Sequence, residues 1–174
     1  LNMLDLAGIP LYAKDRGEDM PFIVGGGPCV YNVEPVADFF DFFIVGEGEE
    51  AIVEVSDAFM AWDKAGRPGG RKGFLRRLLS ADGIYVPSFY EPEYDEEGNY
   101  KDLRPLAEAA KPVIYKRVIR DMDDAISVEH PIVPYMDIVH NRIMLELFRG
   151  CSRGCRFCQA GICYRPARER TEEN

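Results

Sequence analysis

Apolar residues open the chain in two distinct rhythms. Two short apolar runs, over 21–24 and 42–45, each end in a glycine-rich loop. Runs of that length bounded by glycine predict buried strands. The first leads into Gly25, Gly26, Gly27 and Pro28, the second into Gly46, Glu47 and Gly48. Around them the spacing changes to three and four residues, which predicts helices. One is expected over 2–7, stopped by Gly8. A second is expected over 34–40, where Pro35 suits a first turn. A third is expected over 49–62, with Ile52, Val55, Phe59 and Trp62 on its apolar face. Short strands alternating with helices predict an α/β domain with a parallel, doubly wound (Rossmann- or flavodoxin-like) sheet over residues 1–62.

The rhythm then breaks. Residues 65–73 are rich in Gly, Arg and Lys and read as a linker. Residues 74–79 predict a short helix ending before Gly83. Residues 84–94 and the stretch from Tyr100 onward flank the polar turn Asp95, Glu96, Glu97 and Gly98, which predicts a β-hairpin. Residues 112–120 alternate and predict another strand, while Pro112, Pro131 and Pro134 favour extended connections. Residues 63–140 therefore read as a β-containing connector. The apolar run 143–148 predicts a further strand, the start of a separate domain over 141–174. No repeat or low-complexity tract appears.

Composition narrows the class. The 174 residues are 47% hydrophobic, ordinary for a globular chain. No apolar run reaches the ~18 residues of a membrane span, so no membrane partner is expected. Five cysteines, clustered toward one end, do not form a secreted disulfide pattern. The expected compartment is the reducing cytoplasm. Net charge is −9 but uneven: residues 142–170 carry seven arginines and two glutamates. Residues 1–141 carry fourteen basic and twenty-six acidic side chains. The basic segment coincides with the cysteines, where its arginines offset thiolate charge or grip nucleic-acid phosphates. The chain begins at Leu1 and ends sixteen residues after Cys158, and it reads as a piece of a longer protein.

The cysteines carry the chemistry. Cys151, Cys155 and Cys158 have C-x3-C-x2-C spacing directly after the predicted strand. Three thiolates in so short a loop suit one face of a [4Fe–4S] cube, which has four irons and usually four thiolates. The fourth iron is then open to a substrate or cofactor. Gly150 and Gly154 precede two of the cysteines, and Arg149, Arg153 and Arg156 surround them. A zinc site made by Cys151, Cys155, Cys158 and Cys163 is the rival, as a non-enzymatic module with a basic RNA-contacting loop. Zinc ligands more often come as two separated pairs. Cys163 taken by itself reads as a buried small hydrophobe and Cys29 as likewise structural, with His130 and His140 as surface or packing residues. Gly46 to Ala51 loosely fit a dinucleotide pattern, but Glu47, Glu49 and Glu50 would repel a pyrophosphate.

At these cysteines the chain resembles the radical SAM superfamily, marked by C-x3-C-x-aromatic-C, with Phe157 as the aromatic. The resemblance implies that Cys151, Cys155 and Cys158 bind a [4Fe–4S] cluster whose open iron chelates S-adenosylmethionine. It implies reductive cleavage to methionine and a 5′-deoxyadenosyl radical, with Phe157 set against the adenine. It also implies a one-electron donor of the flavodoxin or ferredoxin type. The fold it implies for 141–174 is the first strand and cluster loop of a partial TIM barrel. Residues 1–62, with their two glycine loops, resemble the end of the cobalamin-binding-type domain found in one branch of that superfamily. That likeness implies corrin contacts at Gly25, Gly26, Gly27, Gly46 and Gly48. The branch's Asp-x-His-x-x-Gly motif does not occur. The substrate is not legible.

Overall fold

In a computed structural model, the described residues are 1–126, 128, 130–140, 142 and 144–172. They divide into two compact units, Leu1–Val118 and Ile119–Asn174.

The first unit is organised by the two apolar runs. Strand β1 (Val24–Gly25) lies parallel to β2 (Phe42–Ile44), pairing Val24 with Phe42 and Gly25 with Phe43. This is the parallel pair expected from the sequence. The third strand, β3 (Ile84–Tyr85), runs antiparallel to β2, so the sheet is mixed, in the order β1-β2-β3. Every residue of β2 and β3 is buried, as a sheet covered on both faces requires.

Helix α1 (Asn2–Leu6) precedes the sheet, and residues Glu34–Phe39 form a 3-10 helix instead of an α-helix. Helix α2 (Glu49–Lys64) starts with Glu49 and Glu50 in its first turn and carries Lys64 in its last. Both placements suit the helix dipole. Its inward stripe is Ala51, Val55, Ala58 and Trp62, whereas Ile52 is 50% exposed. The buried line thus lies one residue off the expected Ile52 start.

Helix α3 (Gly70–Leu78) takes in the last part of the expected linker. Phe74 then meets Phe22, Trp62 and Phe59 at ring separations of 4.7, 5.4 and 5.5 Å. Trp62 keeps its polar end satisfied by donating to the Pro68 carbonyl at 3.2 Å. Each fully buried side chain of this kind contributes on the order of 1.5–3 kcal/mol.

The expected hairpin is present as β4 (Tyr90–Tyr94) and β5 (Tyr100–Pro105), antiparallel around Asp95. Asp95 accepts from the backbone N–H groups of Glu97 and Asn99 at 3.0 and 2.7 Å. The strand expected over 112–120 reduces to one bridge between Gly46 and Arg117.

Charge enters this core once. Asp41, immediately before β2, accepts from Arg16 Nη1 at 2.7 Å, Arg71 Nη2 at 2.8 Å and Ile23 N at 2.7 Å. All three charged side chains are buried.

The phenol of Tyr85 is also buried, and it donates to Glu34 Oε1 at 2.5 Å. Burial, and next the Glu34 carboxylate, push the Tyr85 phenol far above its ordinary value. The folded chain therefore holds this proton where an unfolded tyrosine, with a pKa of about 10, gives it up. Its stabilisation is complete below about pH 10 and falls as pH rises above that value. Chemical denaturation between neutral pH and alkali is expected to show this decline. The Tyr85→Phe chain should lose less stability across the same interval, and equal slopes would contradict the assignment.

The second unit contains β6 (Phe148–Arg149), paired antiparallel with β7 (Arg168–Glu169), and the short helix α4 (Ala160–Cys163). The sequence predicts a longer strand over 143–148. Residues 144–147 lie outside it, and Ile143 is outside the described residues. Ile119, Met122 and Ala125 form a small apolar cluster. Arg170 donates to the Glu146 and Ala125 carbonyls at 3.0 and 3.2 Å.

Candidate functional site

The cysteine loop leaves β6 through Gly150. Its φ of +92° is a left-handed conformation that glycine adopts freely. A side chain there would lie 2.6 Å from the Tyr164 carbonyl oxygen and 2.8 Å from Ala167 Cα. Gly150 is therefore dictated both by backbone conformation and by the close approach of 164–167. Gly154, by contrast, adopts no such conformation and has open space around it.

All three motif cysteines are free thiols. Cys151 and Cys158 are half-buried and Cys155 is exposed. A turn joins the last two, the Cys158 N–H donating to the Cys155 carbonyl at 3.1 Å. Phe157, inside that turn, is 91% exposed. Cys163 ends α4 and is 4% exposed. Among the described residues, no group of three or more His, Cys, Asp or Glu side chains is arranged to hold a metal ion. The motif thiols are thus close along the chain but not gathered at one point. As a donor set they fit an iron–sulfur cluster: three reduced sulfurs accessible from outside, with no carboxylate or imidazole among them.

The arginines divide. Arg149 makes a two-pronged pair with Glu146, at 2.7 and 2.8 Å, so its charge is already matched. Arg168 donates to the Pro166 carbonyl at 3.0 Å and also to the Ile119 carbonyl. Arg168 and Arg170 thus both reach main-chain carbonyls, at Pro166 and Ile119 and at Glu146 and Ala125. Arg153 and Arg156 are exposed and flank Cys155 in sequence. Spacing alone showed the cationic run; it did not show which members hold the fold.

The five glycines expected to face a corrin also divide. A Cβ on Gly25 would lie 2.3 Å from the Phe43 ring, so this glycine makes room for a core aromatic. Gly46 has φ +100° and would meet the Arg117 carbonyl oxygen at 2.2 Å. It is needed where the Arg117 main chain crosses it. Arg117 then reaches Glu50 Oε2 at 3.0 Å and also pairs with Glu54 on α2. Gly26, Gly27 and Gly48 have nothing within 4 Å of a built Cβ.

The family model described as "Radical SAM proteins, N-terminal" matches residues 1–87, half of the chain. The chain belongs to the radical SAM proteins. Among curated proteins it is similar to the uncharacterized protein MJ0966 of Methanocaldococcus jannaschii, with 31% identity over 163 residues. That similarity covers 90% of this chain and 28% of the relative, so the chain spans little more than a quarter of that protein's length. No solved structure matches. Among the described residues, no helix is long and apolar enough to cross a membrane.

Proposed function

We infer that this chain is a segment of a radical SAM enzyme in which Cys151, Cys155 and Cys158 hold a [4Fe–4S] cluster. The observation that carries this reading is the C-x3-C-x2-C loop leaving β6 at Gly150, in a chain whose first half matches the radical SAM N-terminal family. When bound, the cluster supplies the electron that cleaves S-adenosylmethionine reductively, drawn from a flavodoxin- or ferredoxin-type donor. The chain's own part is to position and to balance charge. Gly150 turns Cys151 out of the strand, and the turn at 155–158 sets two sulfurs three residues apart. Phe157 offers an exposed ring beside Cys158 for stacking against the adenine. Arg153 and Arg156 offset the negative charge of a thiolate-bound cluster.

The accessibility of these three sulfurs and the burial of Cys163 support three ligands over a four-thiolate zinc site. RNA contact is the rival role for the exposed Arg153 and Arg156. Cobalamin contact would fall to Gly26, Gly27 and Gly48, because packing already accounts for Gly25 and Gly46.

Anaerobic loading of the 174-residue chain with iron and sulfide tests the reading. After reduction, the expected result is a cubane EPR signal that changes when S-adenosylmethionine is added. Tightly bound zinc in place of iron, with no response to S-adenosylmethionine, would overturn it.

A further inference from the structure

A second feature lies wholly within residues 1–118 and is independent of the cysteines. These residues carry 13 basic and 21 acidic side chains, and most of their arginines are matched. Five of the seven meet a carboxylate: Arg16 and Arg71 at Asp41, Arg67 at Asp63, Arg104 at Glu91 and Glu93, and Arg117 at Glu50 and Glu54. The two exceptions are neighbours, Arg76 and Arg77, both exposed on α3. Lys72, one turn earlier, is also exposed and has no carboxylate partner among the described residues. Its ammonium and the Arg76 guanidinium stand over the same Phe89 ring, 5.9 and 5.4 Å from its centre. Residues 64–81 contain six basic side chains and no acidic one. Helix energetics do not account for this cluster. The dipole favours Arg76 and Arg77 in the last turn but opposes Lys72 in the first. Lys72 and Arg76 are four residues apart, a like-charge spacing that costs the helix. The N-terminus of α3 is already filled, the Arg71 N–H donating to Glu18 Oε2 at 2.9 Å. What stands open is the exposed face with its three cations.

We propose that this face of α3 binds the phosphate backbone of a nucleic-acid strand through Lys72, Arg76 and Arg77. Charge complementarity and charge density select that occupant. At ~1.5 Å per residue the three cations lie within about 7.5 Å along the helix axis. A nucleic-acid strand carries one negative charge per ~3.4 Å of duplex axis, so one short stretch of backbone meets all three. A polypeptide meets them only where it carries a dedicated run of acids. A single free phosphate finds no enclosure here, because all three cationic residues are exposed. The guanidinium forks grip phosphate oxygens two at a time, and Lys72 adds a point charge. The acids that dominate the rest of residues 1–118 repel phosphates. They confine the contact to this patch, which limits it to about three phosphates.

The test uses a fluorescein-labelled twelve-nucleotide oligouridylate, titrated against the 174-residue chain at several salt concentrations and read by anisotropy. Saturable binding is expected, its affinity falling by about two decades per decade of salt, the slope for three phosphates on a single strand. The Arg76→Gln/Arg77→Gln chain, checked by circular dichroism for native folding, should bind at least about tenfold more weakly. The Arg76→Lys/Arg77→Lys chain keeps the charge and should still bind. The Arg153→Ala/Arg156→Ala chain should bind as the wild type does. Absence of saturable binding overturns the proposal, as does unchanged affinity in the folded glutamine variant. Loss of binding confined to the Arg153→Ala/Arg156→Ala chain also overturns it, by moving the contact to the cysteine loop. Equal competition by a glutamate nonapeptide would give the face to an acidic polypeptide instead.

Discussion

Replacing Asp41 by alanine is expected to cost about 3–5 kcal/mol of unfolding free energy. The reason is local. One carboxylate serves two guanidinium groups and a backbone N–H, and its side chain is 3% exposed. Arg16 also donates to the carbonyls of Pro10, Leu11 and Phe39, at 3.0, 2.7 and 2.6 Å. Arg71 donates to Pro21 at 3.1 Å and to Met20, and lies 4.1 Å from the Phe22 ring centre. The triad therefore ties the irregular segment 10–23 to the sheet and to α3. Without Asp41, two positive charges remain buried with only carbonyls to face, and the segment must open to hydrate them. A domain of this size has about 5–15 kcal/mol in total, so thermal or urea unfolding should register the loss clearly.

Two comparisons isolate the cause. Asp41→Asn keeps an acceptor but no charge and should fall between wild type and alanine. Glu91→Ala breaks an exposed pair with Arg104 and should change stability by no more than about 1 kcal/mol. If Asp41→Ala proved as mild as Glu91→Ala, the triad would be a surface-like pair in effect and the argument would fail.

None of that triad is legible in the sequence. Arg16, Asp41 and Arg71 are separated by 25 and 30 residues, and nothing local distinguishes them from charges on a solvated face. What was legible was local. Alternating patterns and glycine ends gave the parallel β1–β2 pair and α2, and the Asp95 turn gave the hairpin. These depend on neighbours a few residues apart. The antiparallel placement of β3 was not legible, because the stretch 84–94 reads as one strand of the hairpin. In the structure it breaks at a 3-10 turn, Pro87–Phe89, between two sheets.

The alternating stretch 112–120 likewise promised a strand. Its pairing is confined to Arg117, which donates to Val45 O at 2.8 Å and accepts from Glu47 N at 3.0 Å. Pro112 has no N–H to extend a ladder. The glycine loops illustrate the same limit. A glycine that faces a ligand and a glycine that faces Phe43 look identical until the partner from a distant part of the chain is known. At the candidate site the cysteine spacing and the burial of Cys163 were legible, but the matching of Arg149 to Glu146 was not.

The cysteines should respond unequally to substitution, and the inequality is the strongest discriminator of the proposed chemistry. Alanine at Cys151, Cys155 or Cys158 is expected to reduce iron retained after anaerobic loading and desalting from about four per chain to well under one. A cube held by three protein thiolates has no spare ligand, so each loss leaves a second iron without a protein donor. Alanine at Cys163 is expected to leave iron content unchanged. Its sulfur is buried at the end of α4, and its removal should register only as a modest loss of packing, about 1 kcal/mol. The zinc alternative predicts the reverse for Cys163, because a tetrahedral four-thiolate site collapses when any one ligand is removed. Iron and zinc quantified in the same samples therefore separate the readings in one series. Full iron retention in any of the three motif variants, or its loss in Cys163→Ala, would remove the three-thiolate assignment while leaving membership of the radical SAM proteins untouched, since the family match ends at residue 87.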